Sequence, residues 1–269
     1  MPVTATGRGL DDATVAAIAD ELAAATASGG TIDKISVRYP QMTVEDSYAV
    51  QRIWRDRRIT DGHRIVGRKI GLTSKAMQQA TGITEPDYGV IFDDQVFESG
   101  AEIPFGKYSN VRVEVELAFV LNAALSGPGC TVEDVLAATE SVVPALEILD
   151  AHIELAGRTI VDTISDNAAL GAMVLGPRQF RVDEVDLRWV GALMQQNGEI
   201  TESGVSGAVL GHPATGVAWL ANKLAAHGDR LEAGEIILAG SFTRPVWISA
   251  GDEVVCEYQG MGEVTCRFV

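Results

Sequence analysis

The sequence predicts an α+β fold, and three observations carry that prediction. Apolar residues at helical spacing gather toward the N-terminal half, and short runs of β-formers broken by Gly-containing turns gather toward the C-terminal half. Strand and helix patterns do not alternate as βα units would. No GxGxxG, Walker A or GxSxG occurs, so nucleotide binding and serine-esterase chemistry have no support. Residues 1–62 read as an N-terminal helical region and residues 63–269 as one continuous, β-rich catalytic region.

Each element has its own signal. From Leu10 to Ser28, Leu10, Val15, Ile18 and Leu22 keep a helical spacing, Asp11 or Asp12 can cap the start, and Gly29-Gly30 ends it. Thr43 to Ile59 repeats the pattern, with Thr43 as cap, Asp46 in the first turn, and Tyr48, Ile53 and Trp54 on the buried side. His63 to Leu72 reads as a strand that sets Gly67, Lys69 and Gly71 on one face. Thr73 or Ser74 then caps a short helix through Ala80, closed at Gly82. EPDYG, Glu85 to Gly89, is a turn by composition. Val111 to Leu121 is a strand, and Thr131 to Glu140 a helix with Thr131 as N-cap. DTISDN, Asp162 to Asn167, suits a turn or a ligand contact. Asn197-Gly198 marks a hairpin between 186–195 and 199–202. Pro213 opens a helix to His227, stopped by Gly228. Strands follow at 235–238, 246–249, 253–258 and 263–269.

Composition narrows the function. Over 269 residues, 46% hydrophobic and 22% charged residues describe a globular chain. A formal charge of −16 argues against nucleic acid or an anionic membrane as partner, and leaves a small molecule as the expected one. An anionic substrate would need a local cation against that field. The opening MPVTATGRGLDD lacks the apolar core of a signal peptide and no run approaches a membrane span, so the expected location is cytoplasmic. Cys130, Cys256 and Cys266 lie in no CxxC and read as free thiols; the four histidines form no HxH or HExxH pair.

The chemistry-bearing stretch is VRVEVELAFVL. In a strand, residues i and i+2 share a face, so Glu114 and Glu116 point together while Val113, Val115, Leu117 and Phe119 fill the other. Alternation alone better describes a half-exposed strand with an acidic outer face. Glu147, the only acid in the apolar run VVPALEIL, adds a third carboxylate that needs a partner or a metal. Three oxygen ligands without Cys or His suit a hard divalent cation such as Mg²⁺ or Mn²⁺. Lys69, bracketed by glycines, has room for a ligand beside its ammonium. GSFTRP brings Ser241, Thr243 and Arg244 to the end of a strand, where an arginine can hold a carboxylate in two parallel hydrogen bonds or form a surface salt bridge.

In order along the chain, GRKIGLTSKAMQ, EPDYGVIFDD, RVEVELAFVL, VPALEILDA, DTISDN, HPATGVAWLANKLA and GSFTRPV resemble the 2-oxo-hept-4-ene-1,7-dioate hydratases of aromatic-acid meta-cleavage pathways. These are grouped with the 2-oxopent-4-enoate hydratases and 4-oxalocrotonate decarboxylases in the fumarylacetoacetate-hydrolase superfamily. The resemblance runs from about Tyr39 to Val269. It implies a mixed, curved β-structure of fumarylacetoacetate-hydrolase type, Mg²⁺ or Mn²⁺ held by Glu114, Glu116 and Glu147, and Lys69 and Asp87 at the reacting end of the substrate. It also implies a homo-oligomer. Tyr88, Ser165, Ser241, Thr243 and Arg244 are the candidate substrate contacts, and association with a neighbouring pathway enzyme is a further expectation. The implied reaction adds water to a 2-hydroxydienoate. Arg244 is the choice for the second carboxylate of a seven-carbon diacid. The alternatives are a five-carbon hydratase, a decarboxylase, which GSFTRPV disfavours, and a metal-holding scaffold without turnover.

Overall fold

A computed structural model describes residues 7–74, 78 and 82–269. Three helices come first: α1 (Asp12–Ser28), α2 (Ile35–Arg38) and α3 (Val44–Thr60). Asp11 caps α1 by accepting from Thr14 N at 2.7 Å, and Gly29 closes it in the left-handed region at φ 65°. Thr43 and Asp46 form a reciprocal capping box on α3. The short helix expected from Thr73 through Ala80 falls largely outside the described residues.

Two mixed sheets follow. The larger runs in the order β2 (Asp87–Phe92), β1 (Ile65–Gly71), β10 (Ile236–Leu238), β5 (Arg112–Leu121), β6 (Thr139–Leu149), β7 (Leu170–Leu175) and β3 (Val96–Glu98), and β11 (Val246–Trp247) also pairs with β5. The smaller runs β4 (Ala101–Ile103), β13 (Gly262–Phe268), β12 (Glu253–Tyr258), β8 (Gly191–Gln196) and β9 (Glu199–Val205). The pairs β1–β10, β3–β7 and β4–β13 are parallel and the rest antiparallel. Helices α4 (Val132–Ala137), α5 (Ile160–Ser165) and α6 (Pro213–Ala225) join these strands.

Val113, Val115, Leu117 and Phe119 are all completely buried, in one cluster with Val142, Leu146 and Ile148 of β6, Val254 and Cys256 of β12, and Leu220 of α6. Truncating one of them, Leu117→Ala for instance, costs roughly 2–5 kcal/mol in transfer and cavity energy. The opposite face of β5 is thereby free to carry Arg112, Glu114 and Glu116. Cys130, Cys256 and Cys266 are free thiols, as expected. No helix among the described residues is long and apolar enough to cross a membrane.

Four elements depart from the sequence reading. EPDYG is not a turn throughout: Asp87, Tyr88 and Gly89 already belong to β2, because pairing with Gly71, Ile70 and Lys69 of β1 outweighs local turn preference. The helix opened by Thr131 stops at Ala137, and Thr139 and Glu140 enter β6. DTISDN is the end of α5 followed by Asn167, Ala168 and Ala169, all at positive φ (47°, 53° and 57°). The first hairpin strand begins only at Gly191, not at Asp186. Strands β3, β4 and β7 had no signal of their own.

Candidate active site and metal centre

Glu114 lies directly across from Glu147 in the β5–β6 register, and Glu116 is the next same-face position on β5. The three carboxylates offer oxygens that all lie within 4.8 Å of one another. Glu116 and Glu147 are completely buried, Glu114 half-buried. Gly240 N donates to Glu116 Oε2 at 2.8 Å, fixing that side chain from the loop after β10. Glu116 Oε1 and both oxygens of Glu147 accept no directed hydrogen bond. Burial and the Glu147 charge push Glu114 up to about 7, and burial followed by the same charge lifts Glu116 well above the usual carboxylate range.

Orphaned carboxylate oxygens converging on one point fit a hard divalent cation, which would accept their lone pairs and offset their mutual repulsion. An all-oxygen donor set favours Mg²⁺ or Mn²⁺ over a thiophilic metal.

Lys69 reaches this cluster from β1, its Nζ 2.9 Å from Glu147 Oε1 in an ion pair with both side chains almost fully buried. Burial pulls the Lys69 pKa down, but Glu147, Asp87 and Glu114 together hold it above its ordinary value. Asp87, also buried, faces Gly71 across the β1–β2 ladder. A methyl group on Gly71 would stand 2.2 Å from Asp87 Oδ1 and 3.4 Å from Lys69 Nζ, so only glycine leaves space for both groups. The glycine bracket was read as room for a ligand; Gly67 has a different reason, since its Cβ would lie 2.0 Å from Ile236 O of the adjoining strand.

A cleft opens over these groups, lined by Lys69, Asp87, Glu114, Arg112, Arg158 and Thr163, with Ser241 and Thr243 on a further wall. Thr243 Oγ1 accepts from Val115 N at 3.2 Å, and Ser241 Oγ donates to Thr243 O at 3.0 Å. The structure therefore brings together Lys69, Asp87, Glu114, Glu116, Glu147, Ser241 and Thr243.

Three expected contacts lie elsewhere. Arg244 does not face the cleft: its side chain is 78% exposed and its Nη2 pairs with Glu202 Oε1 of β9 at 2.6 Å, the surface salt bridge weighed against a substrate role. Tyr88 is in the core, stacked on Tyr48 with ring centroids 4.6 Å apart. Ser165 donates to Val161 O within α5 and lines a separate cavity of about 500 Å³ beneath α1 and α3.

The sequence reading passed over Arg112 and Arg158. Arg112 had a visible signal, since R-V-E-V-E places it on the face of Glu114 and Glu116. Arg158, from the loop before α5, had none.

Residues 66–269 match the family described as "Fumarylacetoacetate (FAA) hydrolase C-terminal". The chain is 52% identical over 258 residues to a 2-oxo-hept-4-ene-1,7-dioate hydratase of Escherichia coli, covering 94% of this chain and 97% of that protein. It is 38% identical over 262 residues to a 4-oxalocrotonate decarboxylase of Pseudomonas putida, covering 97% and 99%. Among solved structures, the 4-oxalocrotonate decarboxylase of Pseudomonas putida G7 complexed with magnesium and adipate superposes with a TM-score of 0.95 at 37% identity, covering 98% of this chain and 100% of that one.

Proposed function

The chain belongs to the fumarylacetoacetate hydrolase family, and on that premise we propose that it adds water to 2-hydroxyhepta-2,4-diene-1,7-dioate to give 4-hydroxy-2-oxoheptane-1,7-dioate, with Mg²⁺ or Mn²⁺ as cofactor. The observation that carries this reading is the convergence of Glu114, Glu116 and Glu147 beside Lys69 and Asp87, in a chain 52% identical to a hydratase of that substrate. Glu114, Glu116 and Glu147 would hold the cation. When bound, it supplies Lewis acidity toward the 2-oxo-acid end of the substrate.

The residues of the chain carry the protons. The reaction needs the enol proton removed and C5 protonated, giving the conjugated 2-oxo-3-ene. It then needs water delivered to C4, the carbon β to the carbonyl, with a proton lost from that water and another gained at C3. Lys69 and Asp87 flank one space at Gly71 and are the two groups placed to hand these protons on. Ser241 and Thr243 line the neighbouring wall and orient the substrate by hydroxyl contacts. The burial of Lys69 and Asp87 keeps bulk water from competing with the one that reacts.

The same proposal takes residues 63–269 as one catalytic unit, with the helices of residues 1–62 packed against it. It also takes the protein as a cytoplasmic homo-oligomer able to associate with a neighbouring pathway enzyme. Ultraviolet monitoring of the C7 and C5 dienols, each with Mg²⁺, Mn²⁺ or a chelator, tests the activity. Metal-dependent loss of the C7 dienol to a hydrated product is expected. Release of CO₂ from 4-oxalocrotonate without hydration would assign the chain to the decarboxylase reaction instead, and metal binding without turnover of any 2-oxo acid would leave a scaffold.

A further inference from the structure

We infer that Arg112 and Arg158 form a subsite for a second carboxylate, so that the cleft is built for dicarboxylic rather than monocarboxylic 2-oxo acids. This inference rests on the hydratase reading and deepens it by naming the side chains that select the substrate class. It stands on geometry. Arg112 precedes Glu114 by two positions on the same face of β5, which sets their Cα atoms roughly 6–7 Å apart along the strand. A seven-carbon diacid is about 7–8 Å from end to end at ordinary C–C bond lengths. One carboxylate beside the glutamate cluster therefore leaves the other within reach of a guanidinium.

Arg112 is also short of partners. The residue is only 8% exposed, yet its Nε and Nη2 find no acceptor among the described residues. Its guanidinium is held over the ring of Trp247, 5.3 Å from the centroid, by the β5–β11 pairing that sets Trp247 opposite Arg112. That stacking fixes the plane of the donor fork without using its N–H groups. Arg158 lines the same cleft from the loop before α5, and neither arginine forms a salt bridge among the described residues. Two guanidinium groups of like charge facing one space, one of them buried with idle donors, are arranged for an anion that both can bind. Among the described residues, the other cation lining the cleft, Lys69, is paired with Glu147.

The test uses the Mg²⁺-loaded protein and two variants, Arg112→Met and Arg158→Met, which keep an apolar stem and remove the fork. The kcat/KM for the C7 dienol diacid is expected to fall roughly 30-fold or more in each, as for other truncated charge pairs, while the C5 monoacid stays within about threefold. Calorimetry with saturated heptanedioate and hexanoate provides a second readout. The wild type is expected to bind heptanedioate at least about 10-fold more tightly, with that preference lost in both variants. Equal losses on both substrates would assign the arginines to the carboxylate the two share and overturn the inference; so would unchanged diacid selectivity. If the wild type turned over neither dienol, the hydratase reading would fail by itself, and the heptanedioate preference would still decide the subsite. Should Arg112→Met not fold, Arg158→Met and Arg112→Lys carry the same comparison, the lysine retaining charge without the bidentate fork.

Discussion

Lys69 Nζ lies 2.9 Å from Glu147 Oε1, joining β1 to the carboxylate cluster through one buried ion pair. The two residues are 78 positions apart in sequence, and neither is on a strand that pairs with the other's. The contact ties the proposed acid–base group to the proposed metal ligands, so each constrains the other.

Removing the ammonium should therefore do more than slow the reaction. Lys69→Ala is expected to lower kcat by about 10²–10⁴, the usual worth of one positioned acid or base, and Asp87→Asn by a similar amount. Activity within about fivefold of wild type, measured on the C7 dienol, would take either residue out of its role. In Lys69→Ala, three carboxylates are left with less positive charge near them, so the metal-free variant should unfold at a lower temperature than the metal-free parent.

Divalent metal should stabilise the fold, and the effect should depend on pH. Glu114 is held up at about 7 against an ordinary 4.5, so between those values the unfolded chain binds fewer protons than the folded one. Stability of the metal-free protein accordingly falls as pH rises from 4.5 to about 7, and the loss is complete above that. Mg²⁺ at about 100 times its dissociation constant contributes about 2.7 kcal/mol, on the order of 5–10 °C in Tm for a chain of this size. Differential scanning fluorimetry at pH 5.5 and 8 is expected to show the larger shift at pH 8, and none in Glu147→Gln. An equal shift in that variant would place the ion elsewhere.

His152 sets a dependence of the same sign in a higher pH window. It sits between Asp150 and Asp166, its Nε2 3.1 Å from Asp150 Oδ2 and its Nδ1 3.0 Å from Asp166 Oδ1. Burial works against its charge, but the two carboxylates raise it from 6.5 to about 10. The stability it contributes is fully present below pH 6.5 and is lost as pH climbs toward 10. His152→Gln should cost roughly 3–5 kcal/mol at pH 6 by urea unfolding, because it strands two buried carboxylates, and progressively less at pH 9 to 10. Parallel pH profiles for variant and parent would contradict this.

Arg244 should matter little. Its own side of the pair with Glu202 is largely exposed, a setting in which an ion pair is worth about 0–1 kcal/mol. Arg244→Ala is expected to keep kcat/KM within about threefold on both C7 and C5 substrates. A loss confined to the diacid would return Arg244 to the substrate.

What the sequence disclosed follows the range of the forces involved. Local signals were legible: the Asp11 and Thr43 caps, the Asn197-Gly198 hairpin and the alternation of β5 all depend on residues a few positions apart. So was the carboxylate trio, because an acid in an apolar run such as Glu147 is anomalous wherever it occurs. Asp87 was read into a turn because strand pairing with β1 is a tertiary effect that no dipeptide preference reports. The direction of Arg244 was hidden for a similar reason: its partner Glu202 is 42 positions away on β9. Asn167 was legible only as a polar residue. Its amide bridges Val90 N at 2.8 Å and Val90 O at 3.0 Å, a substitute for a strand partner. That bridge helps hold Ala168 and Ala169 in a left-handed conformation costing roughly 1–2 kcal/mol each.

Strand β10 separates β1, which carries Lys69, from β5, which carries Glu114 and Glu116, and it pairs with both. A nascent chain thus holds Lys69 and all three glutamates by residue 147 but cannot join β1 to β5 through β10 until residue 238 has been made. The helices α1 and α3 depend on local signals and can form earlier, whereas the β1–β10–β5 ladder needs nearly the whole polypeptide. Chains cut short before β10 should therefore leave the lysine and the glutamates on strands that nothing holds side by side.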